Sequence, residues 1–226
     1  MDSSWIIGLF VAEIGLAIFA AELRNLRWAT ITVALQSLVL VAIISSLGYL
    51  SGNSSLYWWG TTAFIIKVLF IPWLLWMYTY RVPVSEVKPV IGLIPSIILM
   101  AVILPITYQY IHIYLCPYFM ESLPPVYSTI AEIAGMNLAL GFTMLVLGIY
   151  VLLVRRDMIK AVIGLVILEN GVHLVLVSMA PTLNEAAEIG IACNLVIASW
   201  LLLYLSRKIY EIWGTKDSTS LSELKW

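Results

Sequence analysis

The chain has 226 residues, of which 62% are hydrophobic and only 11% are charged, and its mean hydropathy is +1.00. A soluble domain of this length needs far more charge to cover its surface, so the composition indicates an integral membrane protein. The formal net charge of −1 argues against a nucleic acid partner.

The apolar runs predict an all-α membrane protein with about seven transmembrane helices, because each run approaches the roughly 20 residues that cross a bilayer. The first segment lacks a basic leader and a small-residue cleavage site, which favours a spanning helix over a removed signal peptide. The breaker-rich connections include SGNSS, RVPVSEVK and CPYFMESLPPVY. The predicted spans are residues 4–22, 28–50, 57–80, 89–115, 129–154, 158–179 and 186–206.

The distribution of lysine and arginine predicts the orientation of these spans. Of the 12 Lys and Arg residues, Lys67 lies inside a span, and all the others fall on one side of a seven-span topology. The positive-inside rule assigns that side to the cytoplasm, so we expect the N-terminus outside and the C-terminus inside the cell membrane. The basic residues on this side are Arg24, Arg27, Arg81, Lys88, Arg155, Arg156, Lys160, Arg207, Lys208, Lys216 and Lys225.

Two internal alignments predict a repeat of a three-helix unit. ELRNLRWATI resembles LVRRDMIKAVI, which aligns Asn25 with Asp157, and WLLWMYTYRV resembles WLLLYLSRKI, which aligns Lys67 with Asn194. One span separates the copies, so the repeat is parallel and not inverted. The predicted units are residues 1–88, a linking helix with an outer loop at 89–128, the second copy at 129–206, and a polar tail at 207–226.

Four ionisable residues lie deep inside the predicted spans, namely Glu13, Lys67, Glu169 and His173. An ionisable side chain at the bilayer centre costs at least about 2.5 kcal/mol, so such residues usually face the protein interior or water. Glu169 and His173 share one helix face at i and i+4, which fits a proton relay. The alternative is a polar pair that fixes helix packing with the help of Asn170.

Lys67 and Glu13 each have two interpretations. A buried lysine exchanges protons more readily than an exposed one, and Pro72 frees the carbonyl of Val68 for a polar partner. Lys67 could instead be a static counter-ion to a carboxylate. Glu13 has no partner nearby in sequence, so structural pairing is an equal alternative to a place on a proton path.

The other polar residues of the spans fit simpler interpretations. The residues expected at solvated outer ends are Glu132, Glu185 and Glu188. His112, beside several tyrosines, fits an interfacial aromatic belt. Cys116 and Cys193 match no metal or redox spacing, and we expect both in apolar pockets without a disulfide.

Several motifs carry a resemblance to a known family. ALQSLVLVAI, FIIKVLFIPW, VILENGVHLVLV, EIGIACN and RKIYEIWGT resemble component E of the hydrogenase-4 family of membrane-bound hydrogenase and formate hydrogenlyase complexes. The last three spans also resemble the K subunit of respiratory complex I and the C subunit of multisubunit cation/proton antiporters. The two membrane glutamates of the K subunit align with Val166, one turn before Glu169, and with Asn194.

The resemblance implies a subunit that is not catalytic alone and holds no cofactor. It implies a proton or sodium pathway beside antiporter-like and hydrogenase-module subunits, with nickel-iron and iron-sulfur centres in those partner chains. The candidate pathway residues are Glu13, Lys67, Glu169, His173 and Asn194. The alternatives are a structural connector without an ion path, a subunit of a cation/proton antiporter, and a free-standing carrier.

Overall fold

The computed structural model describes residues 4–79, 90–181 and 185–214, and this part of the chain forms α, π and 3-10 helices without any strand. The first helices are α1 (Ser4–Glu22), α2 (Leu26–Ser51), α3 (Ser55–Ala63) and α4 (Ile71–Thr79), with a π-helix at Phe64–Phe70 between α3 and α4. The middle helices are α5 (Leu93–Tyr110), a second π-helix (Ile111–Leu115), α6 (Cys116–Glu121) and a 3-10 turn (Pro125–Tyr127). The last helices are α7 (Ala131–Val154), α8 (Met158–Met179) and α9 (Glu185–Trp213).

Seven helices in the described ranges are long and apolar enough to cross a membrane, which confirms the all-α fold class and the predicted number of spans. The third span runs from Ser55 to Thr79 and combines α3, the first π-helix and α4. The fourth runs from Leu93 to Glu121 and combines α5, the second π-helix and α6. The helix α8 lies centrally, since it packs against α1, α2, α7 and α9.

The predicted boundaries need two corrections. Cys116–Glu121 was expected in a connection but is helical, because the Cys116 N–H bonds to the Ile111 carbonyl and the second π-helix continues directly into α6. The last helix continues to Trp213, beyond the predicted end of the seventh span at residue 206. The predicted connection RVPVSEVK, at 81–88, and the tail from 215 onward lie outside the described residues.

The outer loop before α7 is held by one buried side chain. The Tyr127 hydroxyl donates a 2.7 Å hydrogen bond to the Val177 carbonyl near the end of α8. Burial raises the pKa of Tyr127, so the phenol stays protonated and remains a donor. This contact ties the loop to the central helix.

The helices α7 and α8 approach each other closely through glycines. A Cβ atom on Gly148 would lie 2.5 Å from the Leu168 Cα atom, and a Cβ atom on Gly171 would lie 2.6 Å from the Leu145 backbone nitrogen. Both distances are below any normal contact, so only glycine permits this approach. The close packing fixes the position of α8, which carries Glu169 and His173.

The two residues aligned by the internal repeat play the same local role. Asn25 Oδ1 accepts a 3.0 Å hydrogen bond from the Arg27 backbone N–H at the start of α2. Asp157 Oδ1 accepts a 2.9 Å hydrogen bond from the Ile159 backbone N–H at the start of α8. Both are N-cap residues, which is the position where Asn and Asp are preferred.

Two basic residues that we counted on the cytoplasmic side are buried in the protein. The Lys160 ammonium group donates to the carbonyls of Ala20 and Ala21, at 2.7 and 3.0 Å, and so satisfies the end of α1. Arg155 is buried beside Glu22. These two cations therefore bind the protein itself.

Candidate functional site

Lys67 is the centre of a buried polar cluster. Its ammonium group donates to Asn170 Oδ1 at 2.8 Å, and lies 3.0 Å from His173 Nδ1 and 3.4 Å from Glu169 Oε2. The Lys67 side chain is 1% exposed. Because a buried ammonium group is stable only with close acceptors, α8 supplies the environment that this lysine needs.

The backbone around Lys67 is unusual, since this residue lies inside the π-helix of the third span. The Ile71 N–H bonds to the Ile66 carbonyl, five residues earlier. Pro72 has no N–H to donate to Lys67 or Val68 in either the π or the α register. Single π-helical turns inside α-helices often occur at functional sites, and here the segment carries the one lysine buried in this span.

Glu169 and His173 face Lys67 from one side of α8. His173 Nδ1 lies 3.1 Å from the Glu169 backbone oxygen and 4.0 Å from Glu169 Oε1. The edge of Trp59 packs against the imidazole, with ring centroids 5.9 Å apart. Neither Glu169 carboxylate oxygen makes a well-directed hydrogen bond within the described residues, although both are buried.

Glu13 joins the same cluster through two amide side chains. Gln36 Nε2 donates to Glu13 Oε1 at 2.5 Å, and Asn170 Nδ2 donates to Gln36 Oε1 at 2.8 Å. Asn170 Oδ1 in turn accepts from Lys67. These contacts connect α1, α2, α8 and the π-helix by one continuous series of hydrogen bonds.

The structure brings together four of the five predicted pathway residues: Glu13, Lys67, Glu169 and His173. It does not bring Asn194 into the cluster, since this residue is exposed on α9. Gln36, which links Glu13 to the rest of the cluster, was not among the residues predicted from the sequence. The available signal was a long amide inside an apolar span, but nothing along the chain pointed to its partner.

A second buried ion pair, which was not predicted from the sequence, lies where α1 ends. Arg155 Nη2 is 2.6 Å from Glu22 Oε1. Ser96 Oγ donates to the same carboxylate oxygen at 2.5 Å and lies 2.6 Å from the Tyr150 hydroxyl. This group joins α1, α5 and α7.

Other predicted positions have simpler surroundings. Glu132 is exposed, and the exposed His112 stacks on Tyr108 with ring centroids 6.0 Å apart. Cys116 is buried and donates its thiol to the Gly135 carbonyl, whereas Cys193 is exposed, so the expectation of an apolar pocket is wrong for Cys193. The side chains of residues 185–188 lie outside the described part. Within that part no three His, Cys, Asp or Glu side chains group closely enough to hold a metal ion.

Comparison with known proteins decides the family. The chain is 30% identical over 210 residues to hydrogenase-4 component E from Escherichia coli K12, and the match covers 92% of both chains. Proteins of the same name from E. coli O157:H7 and Shigella flexneri match to the same extent. The chain belongs to the hydrogenase-4 component E family.

A second match covers only the C-terminal part of the chain and begins inside α7. Residues 136–226 match the family NADH-ubiquinone/plastoquinone oxidoreductase chain 4L, so the chain is a membrane subunit of a hydrogenase-type, complex I-like assembly. Glu169, Asn170 and His173 lie inside this region. Glu13 and Lys67 lie before it and reach it only through the tertiary structure. No solved structure was found to match the chain.

Proposed function

We propose that the chain contributes to proton translocation coupled to redox chemistry in partner subunits. The observation that carries this proposal is the buried cluster of Lys67, Glu169 and His173, in which three groups able to hold a proton lie within 4.0 Å of one another. Ionisable groups buried in membrane spans mark ion and proton pathways. The position of the cluster between several spans supports the same function.

His173 Nδ1 suits an exchange of protons because it has a hydrogen-bond partner both when it lacks a proton and when it carries one. Without a proton it accepts from the Lys67 ammonium group at 3.0 Å. With a proton it donates to the Glu169 backbone oxygen at 3.1 Å. A proton can therefore move from Lys67 to His173 without leaving a buried donor or acceptor unpaired on the imidazole.

Glu169 completes this exchange as the acceptor that is least constrained. Its carboxylate oxygens lie close to Lys67 and His173 but lack well-directed hydrogen bonds within the described residues. Protonation of this carboxylate would therefore break no strong hydrogen bond. Glu13, connected through Gln36 and Asn170, adds a second buried carboxylate whose charge acts on Lys67.

The setting of this function is inferred from the family relationship. We infer that the partners are antiporter-like and hydrogenase-module membrane subunits, of the kind found in formate hydrogenlyase, and that the redox cofactors belong to them. The protein would lie in the cytoplasmic membrane, with its N-terminus outside and its C-terminus inside. Asn194, exposed on α9, would face a partner or lipid and would not belong to the buried exchange cluster.

A structural connector is the second candidate function. The observation in its favour is that Lys67 has an amide, an imidazole and a carboxylate within 3.4 Å, as a static buried cation would require. In that case the buried charges only hold four spans together. The two functions predict different transport by the complex when one carboxylate is neutralised.

The test is proton uptake coupled to hydrogen evolution in membrane vesicles that carry the whole complex, comparing wild type with Glu169→Gln. Translocation predicts that uptake falls at least tenfold while the complex assembles and still evolves hydrogen. Glu132→Gln, a change at an exposed glutamate on α7, is the matched control and should leave uptake unchanged. Unchanged uptake in the assembled Glu169→Gln complex would favour the connector.

A further inference from the structure

We propose that Lys67 makes the cluster selective for protons, because its own ammonium group occupies the place where a sodium ion would bind. This inference rests on the proposed function of proton translocation and concerns why sodium ions would not occupy the same site. The observation behind it is the arrangement of Asn170, Glu169 and His173 around Lys67 Nζ.

The acceptors around Lys67 Nζ include the groups that hard cations prefer. Asn170 Oδ1, an amide carbonyl oxygen, lies at 2.8 Å, and the carboxylate oxygen Glu169 Oε2 lies at 3.4 Å. Carbonyl and carboxylate oxygens are the usual protein ligands of hard metal cations. Without the ammonium group, the Asn170 and Glu169 oxygens would face an empty buried position, where a cation would be attracted by the Glu169 carboxylate.

The third acceptor favours an N–H donor over a metal ion. His173 Nδ1 lies 3.0 Å from Lys67 Nζ, and an imidazole nitrogen is a ligand for softer transition metals and not for a hard cation. An ammonium group has three N–H donors, and the structure places one amide oxygen and one imidazole nitrogen within 3.0 Å of Nζ, with a carboxylate oxygen at 3.4 Å as the opposite charge. The ligand set therefore fits the lysine that is present.

The ammonium group itself disfavours a second cation at its own position. The charged groups that face Lys67 are Glu169 on α8 and, through two amides, Glu13 on α1, while His173 adds a positive charge whenever it is protonated. A sodium ion would have to enter beside the ammonium group in a buried region where repulsion between like charges is strong. Proton transfer does not add a second cation, since the proton moves from Nζ to Nδ1 as one N–H bond breaks and another forms, and the total charge of the pair stays the same.

The first experiment measures sodium binding on the full-length chain in lipid nanodiscs. Infrared difference spectra between sodium chloride and choline chloride report whether sodium converts a protonated carboxyl group to a carboxylate. For wild type we expect no sodium-dependent carboxylate band. For Lys67→Met, in which Glu169 loses its cation, we expect a saturable sodium-dependent loss of the protonated carboxyl band.

Three further variants control this experiment. Lys67→Arg keeps a buried cation and should give no sodium response, whereas Lys67→Gln, a polar replacement, should respond as Lys67→Met does if the apolar variant fails to fold. The double change Lys67→Met with Glu169→Gln should lose the sodium response, which would assign the carboxyl band to Glu169. A sodium-dependent band in wild type, or no response in folded Lys67→Met and Lys67→Gln, would overturn the proposal.

The second experiment measures transport in vesicles that carry the whole complex. We expect proton uptake in wild type to be the same with sodium or choline as the bulk cation, and uptake of radioactive sodium to stay at background. Sodium uptake that depends on hydrogen evolution would contradict the proposed selectivity. Unchanged proton uptake in the assembled Glu169→Gln complex would instead contradict the proposed function. The sodium-binding experiment on the full-length chain would then still decide whether Lys67 excludes sodium.

Discussion

Two buried ion pairs in the described part of the chain, Glu22 with Arg155 and Glu169 with Lys67, differ in how their carboxylates are held. Glu22 lies 2.6 Å from Arg155 and accepts a further hydrogen bond from Ser96. Glu169 lies 3.4 Å from Lys67, and neither of its oxygens makes a well-directed hydrogen bond within the described residues. Both carboxylates are almost fully buried, with side chains 11% and 10% exposed, so burial does not explain the difference.

The comparison separates a pair that holds helices from a pair that can change its protonation state. The hydrogen bond from Ser96 and the 2.6 Å ion pair with Arg155 stabilise the ionised form of Glu22, and Arg stays charged in a protein. A longer contact to lysine leaves the proton free to move among Lys67, His173 and Glu169. We therefore expect changes at the Glu22 pair to affect folding, and changes at the Lys67 pair to affect transport.

The largest effect is expected for Arg155→Met. This change leaves the Glu22 carboxylate buried without its cation, which costs about 3–5 kcal/mol of the free energy of unfolding. Equilibrium unfolding of the full-length chain in mixed micelles measures the loss. An Arg155→Met chain as stable as wild type would remove the structural role assigned to this pair.

Lys67→Met should have a smaller effect on stability and a larger one on transport. Glu169 can take up a proton when its cation is lost, so we expect the free energy of unfolding to fall by about 2–3 kcal/mol, mainly from unpaired acceptors. Coupled proton uptake by the assembled complex should fall at least tenfold. Equal losses of stability in Lys67→Met and Arg155→Met would erase the distinction between the two pairs.

Asn170→Ala tests the link between Glu13 and Lys67. It removes the acceptor for Lys67 and the donor for Gln36, so the free energy of unfolding should fall by about 1–2 kcal/mol. A double-mutant cycle of Glu13→Gln and Lys67→Met is measured once in the chain with Asn170 and once in the Asn170→Ala chain. The two coupling energies show whether the charges interact through this amide. The coupling energy should be lower with Asn170→Ala, and an unchanged value would mean that the amides do not transmit it.

Tyr150→Phe tests the support of the tight pair. It removes one hydrogen bond to Ser96, whose other contact is the Glu22 carboxylate, and should cost about 1 kcal/mol. Proton uptake per hydrogen evolved should stay at the wild-type value. A fall in this ratio would place the Glu22 group on the transport route.

The smallest effect is expected for Glu211→Gln, which serves as the exposed reference for both buried pairs. Glu211 contacts Arg207 at 2.7 Å and Lys208 at 3.1 Å near the end of α9, where all three side chains are exposed. Such exposed pairs contribute below about 1 kcal/mol, so stability and uptake should change little. A loss as large as that of Tyr150→Phe would indicate a partner contact at this end of α9.

The internal repeat shows how far sequence comparison reached. The alignment of Asn25 with Asp157 agrees with two N-caps of the same kind. The alignment of Lys67 with Asn194 does not extend to their surroundings, since Lys67 is buried and Asn194 is exposed. Lys67 lies in a π-helix that packs against α2, whereas Asn194 lies in a regular α-helix, so the two aligned positions differ in backbone register as well as in burial.

The sequence by itself determined the membrane fold class, the seven spans and the ionisable residues inside them, because apolar length and the cost of burying charge are local properties. Only the tertiary structure decided which of these residues meet. Gln36 and Asn170 join Glu13 to Lys67 across residues more than 100 positions apart, and neutral amides give no signal of their partners along the chain. The same holds for Glu22 and Arg155, whose pairing depends on how the helix ends pack.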